Sequence, residues 1–236
     1  MGQPRQLPDD RATMLLPRLS PTPRMMLRDS VYEAIKGMLM DHDLPPGSRL
    51  SIDGIARELQ VSPTPVREAM TRLESDGLVA KRPHAGYTVA PILDAVTLGN
   101  LYGIRLQLEP EAARLAATAA SPTQLADLRD AIRQMSAHPA GENYEGYRDF
   151  AVLDTQLHRI IAEASGNPLI AEALARLHAH THGYRLYFRI GIAAETVREH
   201  ELVVDAIAAG DADGAGRAMR LHLETSHARL AAAYGD

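Results

Sequence analysis

Between Leu44 and Ala90 the chain is punctuated so closely that neither a long helix nor a wide sheet fits. Pro45-Pro46-Gly47, Pro63, Pro65, Gly77, Pro83 and Gly86 cut it into short pieces. Each piece has its own apolar period. Ile52, Ile55, Ala56 and Leu59 predict a short helix, and Val66, Ala69, Met70 and Leu73 follow the i, i+3, i+4, i+7 spacing of a second one. Thr64 is the expected cap of that second helix, with Pro65 at its first position and Pro63 stiffening the turn before it. Gly77 is placed to end it, after which residues 78–82 and 87–89 read as two strands joined by Pro83-His84-Ala85-Gly86. Ahead of these, Val31, Ile35 and Leu39 predict a helix from Leu27 that stops before Pro45. Helix, helix, tight turn, helix and hairpin in this order make a winged helix-turn-helix, an architecture that reads DNA grooves.

In such a unit the start of the third helix faces the duplex. Ser62, Thr64 and Pro65 stand there with Arg67, and Thr71 lies one turn on. Hydroxyls and free N–H groups suit phosphate oxygens, while an arginine can grip guanine O6 and N7 together. Arg49 ahead of the second helix and Lys81, Arg82, His84 and Gly86 of the hairpin are further candidate contacts. Charge alone gives no hint of nucleic acid. The 236 residues carry a net charge of −5, residues 24–91 hold nine Lys/Arg against nine Asp/Glu, and residues 92–236 hold thirteen against nineteen. A neutral head grips one half-site poorly, so a homodimer on a two-fold related double-stranded operator is expected.

Residues 1–24, with five prolines and scattered arginines, read as a disordered tail, residues 25–92 as the winged head, and residues 93–236 as a helical domain. Beyond Pro91 the texture is Ala/Leu-rich with helical periodicity throughout, and helices are expected near 95–118, 123–137, 145–164, 168–190, 195–209 and 212–233. Pro110 is expected to kink the first of them. The fold class is therefore mainly α. No apolar run reaches the ~20 residues that cross a bilayer, so a cytoplasmic protein without membrane contact is expected.

The chain has no cysteine, so a metal ion would need His and carboxylate ligands. Asp154 and His158, four apart among Val152, Leu153, Leu157, Ile160 and Ile161, project from one helical face into an apolar setting that calls for a partner. His200 and His222 lie at similar distances on either side of Gly210-Asp211, so a helical hairpin would bring them opposite each other. The alternating His178, His180 and His182 would split over different faces of one helix and make a poor shared site.

The run from Pro46-Gly47 through Ile55-Ala56, Val61-Ser62-Pro63-Thr64-Pro65-Val66-Arg67-Glu68-Ala69, Arg72-Leu73 and Gly77-Leu78-Val79 to Gly86-Tyr87 and Val89 resembles the head of GntR-family transcription regulators. Many members carry arginine where this chain has Pro63. Residues 94–230, with Ile104-Arg105, Leu108-Glu109, Gly166-Asn167, Glu199-His200, Ala206-Ile207, Gly210-Asp211, Met219 and His222, resemble the FCD ligand-binding bundle of the FadR subfamily. That resemblance implies Asp154, His158, His200 and His222 as ligands of a divalent ion, zinc first, with nickel or manganese as alternatives. It also places Arg105 beside the ion, where it would clamp a small carboxylate effector or else pair with Glu109 one turn later. Asn167 would line the same pocket or cap the next helix.

The expectation is a ligand-responsive regulator of transcription, of the repressor type, and not an enzyme. A metal-dependent hydrolase is the runner-up, weakened by the lack of a His-Glu-x-x-His motif, since Glu199 points about 100° away from His200 on a helix. A third reading makes the ion itself the signal.

Overall fold

The computed structural model describes residues 23–82, 86–137, 144–187, 193–232 and 234, and everything below concerns these. Most of the expected N-terminal tail and His84 of the hairpin lie outside them. The head consists of α1 (Pro23–Met40), β1 (Arg49–Leu50), α2 (Ile52–Glu58), α3 (Pro63–Ser75), β2 (Val79–Arg82) and β3 (Gly86–Val89). Its three antiparallel strands run in the order β1-β3-β2, with Arg49 opposite Thr88 and Lys81 opposite Tyr87. The predicted hairpin is present, and β1 is an addition. Two residues are too few to display an alternating pattern, so no period announced it.

α1 packs on α3, and Val31, Ile35, Leu39, Val66, Met70 and Leu73 are all buried between the head's elements. α3 starts two residues earlier than predicted: Ser62 is the cap and Pro63 the first helical residue, not Thr64 and Pro65. Both prolines fit the opening turn, because N–H groups there have no intrahelical acceptor in any case. With Pro63 and Pro65 lacking N–H groups, only Ser62 and Thr64 retain free backbone donors at this helix start.

Gly77 takes φ +73° just past α3, where Leu78 N–H donates to Leu73 O and Gly77 N–H to Glu74 O. An alanine there would hold a left-handed conformation costing about 1–2 kcal/mol, with its Cβ 3.4 Å from His182 Nε2. Gly77→Ala should therefore lower the free energy of unfolding by at least about 1 kcal/mol in urea titration.

The rest is helical: α4 (Ala95–Ala119), α5 (Pro122–Ala137), α6 (Tyr144–Ala164), α7 (Pro168–Arg176), α8 (Ala179–Tyr187), α9 (Ala193–Ala208) and α10 (Ala212–Ala232). α4 packs along α10 and also meets α6 and α9, while α5 covers α6 and α9. α4 runs unbroken through Pro110. Proline cannot donate to the carbonyl of Leu106, and Arg220 Nη2 of α10 donates to that oxygen instead at 3.4 Å. The single helix expected over 168–190 is two helices. His178, at φ +47°, separates α7 from α8 and redirects the chain.

Head and bundle share one connected apolar core and are also joined by polar contacts. Tyr144 N–H donates to Asp41 at 2.8 Å. Arg185 of α8, 1% exposed, donates from Nη2 to Ala90 O at 2.9 Å and from Nη1 to Pro91 O at 3.2 Å, gripping the connection between β3 and α4.

Candidate metal centre and DNA-reading surface

α6 buries the face that carries Asp154 and His158, because that stripe packs on α4 and α5. The Gly210 turn, at φ +73°, folds α10 back along α9 and sets His222 against His200. The four side chains meet. His200 Nε2 lies 3.2 Å from His158 Nε2, 3.3 Å from His222 Nε2 and 3.4 Å from Asp154 Oδ1. All four residues are buried, His200 completely.

Their partners determine which atoms point inward. His158 Nδ1 lies 2.5 Å from Glu109 Oε2 and His222 Nδ1 lies 2.8 Å from Glu199 Oε2. A carboxylate can only accept, so each Nδ1 carries the proton and each Nε2 turns a lone pair to the centre. Burial lowers the His158 pKa to about 4 despite Glu109, and burial together with His222 holds His200 well below the usual imidazole range. The contact of His158 with Glu109 is thus a hydrogen bond from a neutral ring, not an ion pair. Burial opposes ionisation of Asp154, but His180, then His200 and His158, more than offset it and keep the carboxyl well below the ordinary range.

His200 Nε2 can bear at most one hydrogen, yet two imidazole lone pairs and a carboxylate oxygen converge on it. Hydrogen bonding cannot satisfy this set. A divalent cation with bonds of ~2.0–2.1 Å would hold tetrahedrally arranged donors about 3.3 Å apart. The three separations from His200 Nε2, 3.2, 3.3 and 3.4 Å, match that edge. Two overlapping triads, His158 with His200 and His222, and Asp154 with His158 and His180, each lie close enough together to hold such an ion.

Glu109 also accepts from Arg105 Nε at 2.5 Å, so the pairing of Arg105 with Glu109 is present. Burial disfavours the Arg105 charge, but Glu109 outweighs it and raises the pKa. The pair does not exhaust the guanidinium: Arg105 Nη2 is buried without a partner. Arg105 lines a space of about 40 Å³ with Asp154, His180 and His222. Asn167 does something else. Its Oδ1 accepts from Leu169 and Ile170 N–H, so of its two expected roles it caps α7, and it is not among the residues lining the cavities at Arg105 and at His158, which corrects the effector-contact alternative.

Three residues of the centre escaped the sequence reading. His180 Nδ1 lies 2.8 Å from Asp154 Oδ2, Glu199 orients His222, and Arg229 in turn donates to Glu199 from Nη1 at 2.6 Å and Nη2 at 2.9 Å. Burial opposes the Glu199 charge, yet those hydrogen bonds lower its pKa to about 2. A carboxylate next to His200 in sequence was the available signal, since α10 packs on the side of α9 where Glu199 emerges.

A pH dependence follows for the metal-free protein. His158 has a folded pKa of about 4 against 6.5 for the free side chain, so between those values the unfolded chain binds more protons. Stability rises with pH across that window and is lost as pH falls through it, by on the order of 3 kcal/mol. Chelator-treated protein should show a lower denaturation midpoint at pH 4.5 than at pH 7; equal midpoints would contradict the buried neutral ring.

On the head, Ser62, Thr64, Arg67 and Thr71 are exposed on α3, as are Arg49, Lys81, Arg82 and Gly86 on the sheet. Pro65, in the first turn of α3, is buried against the head's core rather than turned to the surface, which corrects its reading as a contact. Thr71 Oγ1 donates to Arg67 O, leaving only its lone pairs for an outside donor. Glu68 is paired with Arg28 and Glu74 accepts from Lys81 N–H, so neither engages Arg67.

The family model for FCD domains matches residues 100–225, and that for bacterial regulatory proteins of the gntR family matches residues 27–89. This chain belongs to the GntR family. Its FCD match fills more than half of the molecule and holds all four converging side chains. The chain is 30% identical over 215 residues to the uncharacterised HTH-type transcriptional regulator YieP of Escherichia coli K12, covering 82% of this GntR protein and 90% of that one. It is 25% identical over 204 residues to the HTH-type transcriptional repressor RspR of the same strain, covering 86% and 88%. Among solved structures, E. coli McbR/YncC superposes with a TM-score of 0.67 at 26% identity, covering 88% of this chain and 98% of that one. The protein is a DNA-binding transcriptional regulator of the GntR/FCD type. No described helix is long and apolar enough to cross a membrane.

Proposed function

We propose that this regulator is a cytoplasmic homodimeric repressor whose hold on its operator depends on a divalent ion and a small organic acid bound in the FCD bundle. One observation carries the reading: the Nε2 atoms of His158 and His222 and a carboxylate oxygen of Asp154 lie 3.2–3.4 Å from His200 Nε2, at a place where hydrogen bonds cannot satisfy them. Asp154, His158, His200 and His222 would hold the ion, zinc before nickel or manganese. Bound there, the ion supplies positive charge and room for a carboxylate in its coordination shell. The unpartnered Nη2 of Arg105 faces the same region and would receive the second oxygen of that carboxylate.

Arg67 stands exposed at the front of α3 with no carboxylate holding it, and is the candidate base reader. Ser62, Thr64 and Thr71 of α3, with Arg49, Lys81, Arg82, His84 and Gly86, would serve the phosphates and the adjacent groove. Val96 and Ile104 expose apolar side chains on α4, surface that a second copy could cover. A repressor role rests on the name carried by the RspR relative. A hydrolase reading fares worse, because Glu109 and Glu199, the carboxylates nearest the centre apart from Asp154, are already spent on Arg105, His158, His222 and Arg229.

The test is selection of bound sequences from a random DNA pool, then titration of the selected operator with metal-loaded and chelated protein, with and without candidate carboxylic acids. The proposal expects an acid to change operator affinity only when the ion is present. If chelation leaves both affinity and response unchanged, the metal-dependent reading fails; if metal alone switches affinity with no acid, the ion is the signal.

A further inference from the structure

A space larger than the one beside Arg105 lies between the head and the bundle. It measures about 570 Å³, within the ~300–1,000 Å³ usual for small-molecule sites. One wall belongs to the head: Tyr32, Lys36 and Met40 of α1, with Asp76 at the end of α3. The other comes from α6, α7 and the start of α8, reaching inward to the flank of His158 and His180. Ala151, Val152, Leu174 and Ala175 make much of that wall apolar, and Val152 is 50% exposed into it.

The charges around the space are nearly all spoken for. Arg159 is paired with Glu163, Arg176 with Glu172, Glu109 with Arg105, and Asp76 accepts from the Tyr32 hydroxyl at 2.5 Å. Lys36 is the exception. Its Nζ sits 5.6 Å from the Tyr32 ring and 5.9 Å from the Tyr144 ring, and no described carboxylate forms an ion pair with it. A half-buried ammonium framed by two aromatic faces, opening on an apolar chamber, is complementary to a single negative charge on an apolar body. Glu163, Glu172 and Asp76 around the same space disfavour a multiply charged anion such as a phosphate ester.

We propose that this chamber is a ligand site for an amphipathic monocarboxylate, with the carboxylate at Lys36 and the hydrocarbon along Val152 and Ala175. The site goes beyond the metal-centred reading and does not depend on it. Its occupant touches α1 and the end of the DNA-reading helix on one side and the first turn of α8 on the other. Since α8 also carries Arg185, which holds the carbonyls of Ala90 and Pro91, the occupant bears on both attachments of the head. A ligand that prefers one head arrangement would shift the population toward it.

The experiment is calorimetric titration of the full-length protein, chelated and zinc-loaded, with octanoate and, as the uncharged control, octanamide. Octanoate is expected to bind both forms, octanamide at least tenfold more weakly. Lys36→Met, which keeps the aliphatic stem, should reduce octanoate to the level of the amide. Val152→Trp, a change at a half-exposed position, should fill the chamber and remove binding without changing metal content. Failure of octanoate to bind, equal affinity for acid and amide, undiminished binding in Lys36→Met, or retained binding in Val152→Trp would each overturn the proposal. Loss of metal binding in the same protein with octanoate affinity intact would instead sink the metal-centred reading and leave this one standing.

Discussion

His200→Ala protein is expected to be isolated without its divalent ion and to lose metal affinity by far more than the ~10–100-fold that removal of an orienting partner costs. His200 Nε2 is the atom on which His158, His222 and Asp154 converge, so its deletion removes a donor and the hub of the cluster together. The change also leaves a cavity at a completely buried position and two lone pairs facing a void. Glu109→Gln is the informative companion. It leaves the inner four side chains in place but weakens the acceptor that fixes the His158 tautomer, and should fall within the 10–100-fold range. Metal content by elemental analysis and competition with a chromogenic chelator measure both. If the two variants bind the ion as tightly as the wild type, the ion is held somewhere else.

The second large effect belongs to the head. Arg67→Ala should remove specific operator binding while leaving metal content and folding untouched. A bidentate arginine contact with guanine is worth ~1–3 kcal/mol of discrimination, roughly tenfold to a hundredfold for each head, and a dimer loses it at both half-sites. The residue is exposed and free of carboxylate partners, so alanine disturbs no packing and no ion pair. Fluorescence anisotropy at fixed salt, comparing the selected operator with unrelated DNA, reads the ratio. Retention of the wild-type ratio would move the base-reading role from Arg67 to the wing or to β1.

Much of this was legible because the relevant residues lie on regular elements. Asp154 and His158 are one turn apart on a single helix, which points both inward, and His200 and His222 are arranged about one glycine turn, which sets them opposite each other; the resemblance to FCD domains joined the two pairs. Glu199 was misjudged because helical spacing gives an angle from His200 but not the side on which the next helix packs; α10 comes to lie on Glu199's side. His180 was dismissed on the assumption of one continuous helix over 168–190. The left-handed His178 breaks that helix, after which the alternation of His178, His180 and His182 no longer follows one helical wheel. Thr64 is expected as the cap of α3 because proline disfavours helical torsions in the residue before it, yet Ser62 caps the helix and Thr64 lies within its first turn, where neither proline's missing N–H costs a bond. The chamber at Lys36 lies between elements distant in sequence, and no local pattern encodes it.

The control half of this account depends on an ion among four side chains, and anomalous diffraction from crystals of the purified protein, recorded on both sides of the zinc absorption edge, addresses it most directly. A peak about 2.0–2.1 Å from the Nε2 atoms of His158, His200 and His222, and similarly close to a carboxylate oxygen of Asp154, is the expected result. A peak of another element there would change the metal and keep the centre. Crystals from metal-replete protein showing no anomalous peak among these residues would contradict it.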